Sequence, residues 1–101
     1  MSQITLVSPQ KAGTTVSSDT QNYQYVTFSA PGLAGAETCS VNVAVPDGLN
    51  DVPALDVTGS SAGLTATNPT RTYFGGPTYS MVLSATVANC GLYADFGGRV
   101  T

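Results

Sequence analysis

Six carboxylates, two cysteines and no histidine are what this 101-residue sequence offers for chemistry. Histidine is the commonest general base and metal ligand near neutral pH, so a Ser or Cys nucleophile here lacks its usual imidazole partner. Glu37 is the sole glutamate, and the aspartates fall at apparent turns or strand edges, which sets no carboxylate pair for glycosidase work. Gly75-Gly76-Pro77 matches neither the phosphate-cradling nor the dinucleotide-binding glycine pattern. The missing base decides the matter: the expectation is a non-enzymatic protein with no cofactor. Asp47, Asn50 and Asp51, with Asp56 close behind, are the one cluster whose oxygens suit a calcium ion. Their spacing departs from the EF-hand loop, and Asp, Asn and Gly are also what turns are made of, so turn composition is the preferred reading. Cys39 and Cys90 lie too far apart for a CxxC motif or a zinc pair. In a reducing cytosol they stay thiols and act as small buried hydrophobes, whereas a bridge between two strands is the alternative for an oxidising compartment.

The elements that position these residues read as strands. Tyr79, Met81, Leu83, Ala85 and Val87 alternate with Ser80, Val82, Ser84 and Thr86, the period of two that predicts a half-buried strand over Tyr79–Val87. Gly75-Gly76-Pro77 marks a turn before it, Asn89-Cys90-Gly91 a turn after it, and Leu92–Phe96 a further strand. Glu37–Val45 gives a second clean alternation, with Cys39, Val41, Val43 and Val45 on one face. Tyr23–Ser29 is dense in β-formers, and Ile4–Val7 is a short strand stopped by Ser8-Pro9. Val52–Thr58 reads as extended and, because of Pro53, as an edge; Leu64–Thr67 is a short strand. Lys11–Asn22 reads as a polar loop with a brief extended piece at Thr14–Val16. Residues 97–101 read as a tail that frays or lies on a neighbour, and segment 1–10 as an extended N-terminus. The sum is an all-β domain spanning 1–101: a small antiparallel β-sandwich of seven to eight short strands, immunoglobulin-like or jelly-roll-like.

Charged residues make up 9% of the chain, against about 25% in ordinary globular domains. Hydroxyl side chains fill the gap. Such a surface guards poorly against association, so a partner is expected to cover part of it. Lys11, Arg71 and Arg99 are the only basic residues and the net charge is −3, which excludes the basic patch that nucleic acids require. No apolar run approaches the length of a bilayer span, so no membrane partner is expected. The start Met-Ser-Gln-Ile-Thr-Leu-Val lacks the charged and apolar regions of a secretory signal, and synthesis in the cytoplasm is the expectation.

Leu64–Pro69, Gly75–Tyr79, Ser84-Ala85-Thr86 and Gly91–Asp95, about a third of the chain, resemble short β-rich structural proteins of tailed bacteriophages, the capsid decoration or cement proteins. The resemblance implies a mechanical role on the outer surface of the virion, binding the major capsid protein and bridging its capsomers, with a trimer or other homo-oligomer as one arrangement. It carries no functional residues across. On the residues alone, the expected contacts are Ile4, Leu6 and Val7 of the N-terminal strand and the tyrosines Tyr23 and Tyr25. Two other readings stay open: an immunoglobulin-like recognition or glycan-binding module of a phage tail or cell surface, and a secreted β-domain bridged through Cys39 and Cys90.

Overall fold

The alternation of apolar and hydroxyl side chains is spent on two facing sheets. A computed structural model describes residues 3–44 and 51–99, with the side chains of Asp51 and Arg99 left aside. Its strands are β1 (Gln3–Gln10), β2 (Thr14–Asp19), β3 (Tyr23–Ser29), β4 (Thr38–Ala44), β5 (Asp51–Pro53), β6 (Leu64–Thr65), β7 (Thr70–Phe74), β8 (Thr78–Leu83) and β9 (Cys90–Arg99). One sheet runs β1-β9-β3-β7. The other runs β2-β8-β4-β5, with β6 also on β4, and every pairing is antiparallel. β5 pairs with Asn42–Ala44 and β6 with Thr38 and Cys39, so the two act as one broken strand along β4. From β1 to β4 and from β7 to β9, each successive strand crosses to the opposite sheet. The protein is thus an antiparallel β-sandwich, and this wrapping of two Greek keys selects the jelly roll over the immunoglobulin arrangement.

The core lies between the sheets. Val26 and Phe28 of β3, Tyr73 of β7, and Leu92 and Ala94 of β9 face Cys39 and Val41 of β4 and Tyr79, Met81 and Leu83 of β8. Each large side chain removed from water here contributes about 1.5–3 kcal/mol. The rings of Phe28, Tyr73 and Tyr79 form a triangle with centroids 5.5 to 5.7 Å apart. Predicted boundaries for β3 are met, and β4 lies within the predicted Glu37–Val45.

Several expectations are corrected. Lys11–Asn22 is not a loop: it contains β2, an edge strand whose inward positions Thr14, Val16 and Ser18 include a single apolar residue, too little to show in the pattern. Pro9 does not stop β1, because an edge strand has one side on which a missing N–H costs no ladder bond. Tyr79–Val87 is cut short at Leu83. Beyond it the Ser84 amide donates to the Thr38 carbonyl and the Thr86 amide to the Lys11 carbonyl, so the chain turns off β8, and Val87 is 83% exposed. Cys90 and Gly91 belong to β9 rather than a turn, and residues 97–99 do not fray but pair with β3. Val52–Thr58 is extended only to Pro53.

Candidate functional site: an aromatic end of one sheet

Eight aromatic residues populate the chain. Three form the core triangle, and Tyr93 lies over Gly91, where a Cβ would sit 2.5 Å from the Tyr93 hydroxyl. The other four gather at one end of the β1-β9-β3-β7 sheet. Tyr23 at the start of β3 stacks on Phe96 of β9, with centroids 4.8 Å apart and planes tilted by 31°. Tyr25 lies directly across from Phe74 at the end of β7, with centroids 6.0 Å apart.

Register explains why they meet. With Val26 and Phe28 buried, Tyr25, Thr27 and Ser29 must face outward, and their partners Phe74, Thr72 and Thr70 face outward with them. The hydroxyls of Thr27 and Thr72 sit 2.9 Å apart across the same face. On its other side Tyr25 opposes Gly97 of β9, and no atom lies within 4 Å of where a Gly97 Cβ would project. Tyr25 and Phe74 therefore stand as an aromatic step beside a bare floor, 45% and 55% exposed. Next along β9, Asp95 opposes Thr27 and Gln3, and its Oδ1 is buried with no hydrogen-bond partner. Ile4, half exposed, pairs with Ala94, two residues before Phe96 on the same strand.

The turn Gly75-Gly76-Pro77 holds this end in place. The buried Thr20 hydroxyl donates to the Pro77 carbonyl at 2.6 Å and accepts from the Gly76 amide at 2.9 Å. The Gly75 amide donates to the Gln24 carbonyl, and a Cβ on Gly75 would lie 1.9 Å from the Tyr23 carbonyl oxygen. Only glycine permits that approach, which fixes β7 against the start of β3.

The remaining candidate chemistry is engaged in structure. Glu37 accepts from the amides of Ala34 and Val87, tying two loops beside an open depression of about 680 Å³ lined by Ala34, Gly35, Ala36, Ser84 and Ala85. Asp56 accepts from the Thr58 hydroxyl and amide and the Ser60 amide, and pairs with Arg71 at 2.7 Å. Those partners, the Thr58 hydroxyl and the Arg71 guanidinium foremost, hold its carboxyl well below the usual range. Among the described residues no three His, Cys, Asp or Glu gather as a metal group, and no helix is long and apolar enough to cross a membrane. Asp47 and Asn50 of the calcium alternative lie outside the described residues; Asp51 opens β5. Cys39 and Cys90 are both buried and free. Burial, with a smaller contribution from the nearby Cys90, pushes the Cys39 thiol up to about 12, and burial also raises Cys90.

Of the residues predicted to make contacts, Tyr25 and Ile4 present free surface and Tyr23 is half-buried against Phe96. Leu6 packs partly on the core, and Val7 is inside it, with no surface to offer. Phe74 and Phe96 were not singled out by sequence. Phe74 follows Tyr73 directly, and alternation sends one of the two outward without saying which. Comparison with known protein families, characterised proteins and solved structures finds no match for this chain.

Proposed function

We propose that this protein is a non-enzymatic structural component of a tailed-phage virion, a decoration protein that binds the outer face of the major capsid protein shell. The aromatic end carries the proposal. Tyr25 and Phe74 bring large exposed aromatic area to the outer face at one end of the β1-β9-β3-β7 sheet, beside the hydroxyls of Thr27 and Thr72, and aromatic side chains supply most of the energy at well-packed interfaces. A scaffold in which Glu37 and Asp56 are tied to its own loops suits a mechanical role. The resemblance of Leu64–Pro69, Gly75–Tyr79, Ser84-Ala85-Thr86 and Gly91–Asp95 to phage cement proteins implies the major capsid protein as partner, and an acidic, base-poor chain fits the outside of a shell rather than its DNA-filled interior.

Co-sedimentation with empty phage shells tests this. Wild-type protein is expected to pellet with shells, and Tyr25→Ser/Phe74→Ser to lose at least about tenfold in affinity while its circular dichroism is unchanged. Failure of the wild type to pellet overturns the proposal. A second reading, glycan recognition, draws on the Tyr25 ring standing beside the open Gly97 floor, a stacking surface for the face of a sugar ring. Selective binding on a glycan array without shell binding would replace the first reading by the second.

A further inference from the structure

A two-sheet sandwich has four outer edges, and three of them here are blunted. β1 carries Pro9 and two register shifts against β9. β7 is covered by the 54–63 loop: the Val57 amide donates to the Thr72 carbonyl, and the Arg71 side chain ties back to Asp56 and the Gly63 carbonyl. Among the described residues β5 and β6 are three and two residues long. Bulges, prolines, shortness and covering loops are the devices by which natural sheets avoid pairing with other chains.

β2 has none of them. Its six residues Thr14–Asp19 pair with β8 in unbroken register, without proline, lysine or bulge. Among the described residues no backbone hydrogen bond reaches the outer edge of 14–19, and the side-chain bond at its end, from the Gln21 amide to the Asp19 carboxylate at 2.9 Å, is local. The side chains along it are small and neutral apart from the terminal Asp19, so nothing among the described residues keeps a second strand from the roughly 4.8 Å spacing of a sheet.

We propose that the β2 edge is an interface with a second copy of this chain, joining two four-stranded layers into one continuous antiparallel sheet across a two-fold axis. Both copies keep their cores on the same side only if residues facing across the joint share parity, which puts the axis through a residue, and the fullest overlap of two 14–19 strands makes that residue Val16 or Ser17. In the first register Asp19 faces Gly13 of the partner copy, and in the second it faces Thr15. In neither does the strand's only charge meet itself, and each copy supplies a bare edge of matching length, as a self-complementary two-fold interface requires. This inference stands independently of the capsid reading and uses a different edge of the molecule from the aromatic end.

Light-scattering mass measurement across micromolar to sub-millimolar concentrations, with amide hydrogen exchange, provides the test. Wild-type protein is expected to reach twice the monomer mass, with the amides along β2 protected throughout rather than at alternate positions. Thr15→Lys/Ser17→Lys places at least one lysine pair face to face in either register. It is expected to run as a monomer with an unchanged circular dichroism spectrum and rapid exchange at alternate β2 amides. Ser80→Lys, on the same outer face but one strand inward, is expected to remain a dimer. A monomeric wild type, a dimer whose β2 amides exchange freely, or a double-lysine variant that stays dimeric would each overturn the inference. So would β2 amides protected only when phage shells are added, which would assign the edge to a shell protein.

Discussion

Tyr73 is the residue whose chemistry is least at home. Its ring completes the core triangle with Phe28 and Tyr79, yet its hydroxyl is buried with no hydrogen-bond partner. A buried hydroxyl that has lost water and gained nothing costs on the order of 1–3 kcal/mol. Tyr73→Phe keeps the ring and removes the cost, so the variant is expected to be more stable than wild type by about 1 kcal/mol in urea unfolding. Burial also pushes the Tyr73 ionisation up to about 12. A group whose folded value exceeds its unfolded value of about 10 contributes stability that is intact below that value and lost as the pH climbs beyond it. The advantage of Tyr73→Phe should therefore widen above about pH 10, and a gap that stays constant on the alkaline side would contradict this account. Alternation along β7 makes Tyr73 and Phe74 point opposite ways, which is a local property of adjacent residues. Which of them is buried depends on the pairing of Val26 with Tyr73, a long-range fact that periodicity does not hold.

At the scale of elements, the 54–63 loop shows how a single carboxylate shapes an edge. Asp56 organises the loop through Thr58 and Ser60, then anchors it to β7 through Arg71, which lets the Val57 amide cap the strand. Asp56→Asn keeps the size of the side chain but forfeits the charge-assisted bonds. The variant is expected to melt several degrees below wild type at neutral pH, with faster amide exchange at Val57. Because the folded carboxyl titrates well below its ordinary value, its contribution is present above that value and fades as acid protonates it. The melting difference should hold from neutral pH down to about 5 and close progressively below about 4; a difference independent of pH would place the role of Asp56 in packing rather than charge. The strands most legible in sequence were those with an apolar face, β3, β4 and β8. β2 escaped because Thr and Ser occupy inward positions beside an edge, where Ser18 is buried without being apolar. The alternation of Ala85 and Val87 misled for the converse reason: it is real in sequence but lies where backbone bonds to Thr38 and Lys11 have already bent the chain away.

For the whole molecule, the scarcity of charge sets the kind of association available. Of three basic residues, Arg71 is bound to Asp56, and Glu37 and Asp56 are both held by backbone amides. Little remains on the described surface to steer a partner by long-range attraction, while the aromatic end and the hydroxyl faces offer apolar area and short-range hydrogen bonds. Contacts of that sort do not weaken as the screening length falls from about 10 Å at 0.1 M salt to about 3 Å at 1 M. If the protein docks on phage shells as proposed, raising sodium chloride over that range should leave that docking within about threefold of its low-salt affinity, and the apolar part should be mildly strengthened by sulfate. An affinity that collapses with salt would mean that ion pairs carry the interface, and it would move the contact surface away from Tyr25 and Phe74 towards Lys11 and the few free carboxylates. The jelly-roll topology makes the experiment discriminating. β1 and β9 lie side by side in one sheet, and the aromatic end sits at the β9 terminus, where Phe96 and Gly97 meet β3. Lys11 follows β1 directly, and its carbonyl is bound by the Thr86 amide in the segment between β8 and β9. Gln10 pairs with Cys90 at the start of β9, so the two candidate surfaces lie towards opposite ends of that strand and a shift from one to the other would be read directly from which substitutions abolish binding.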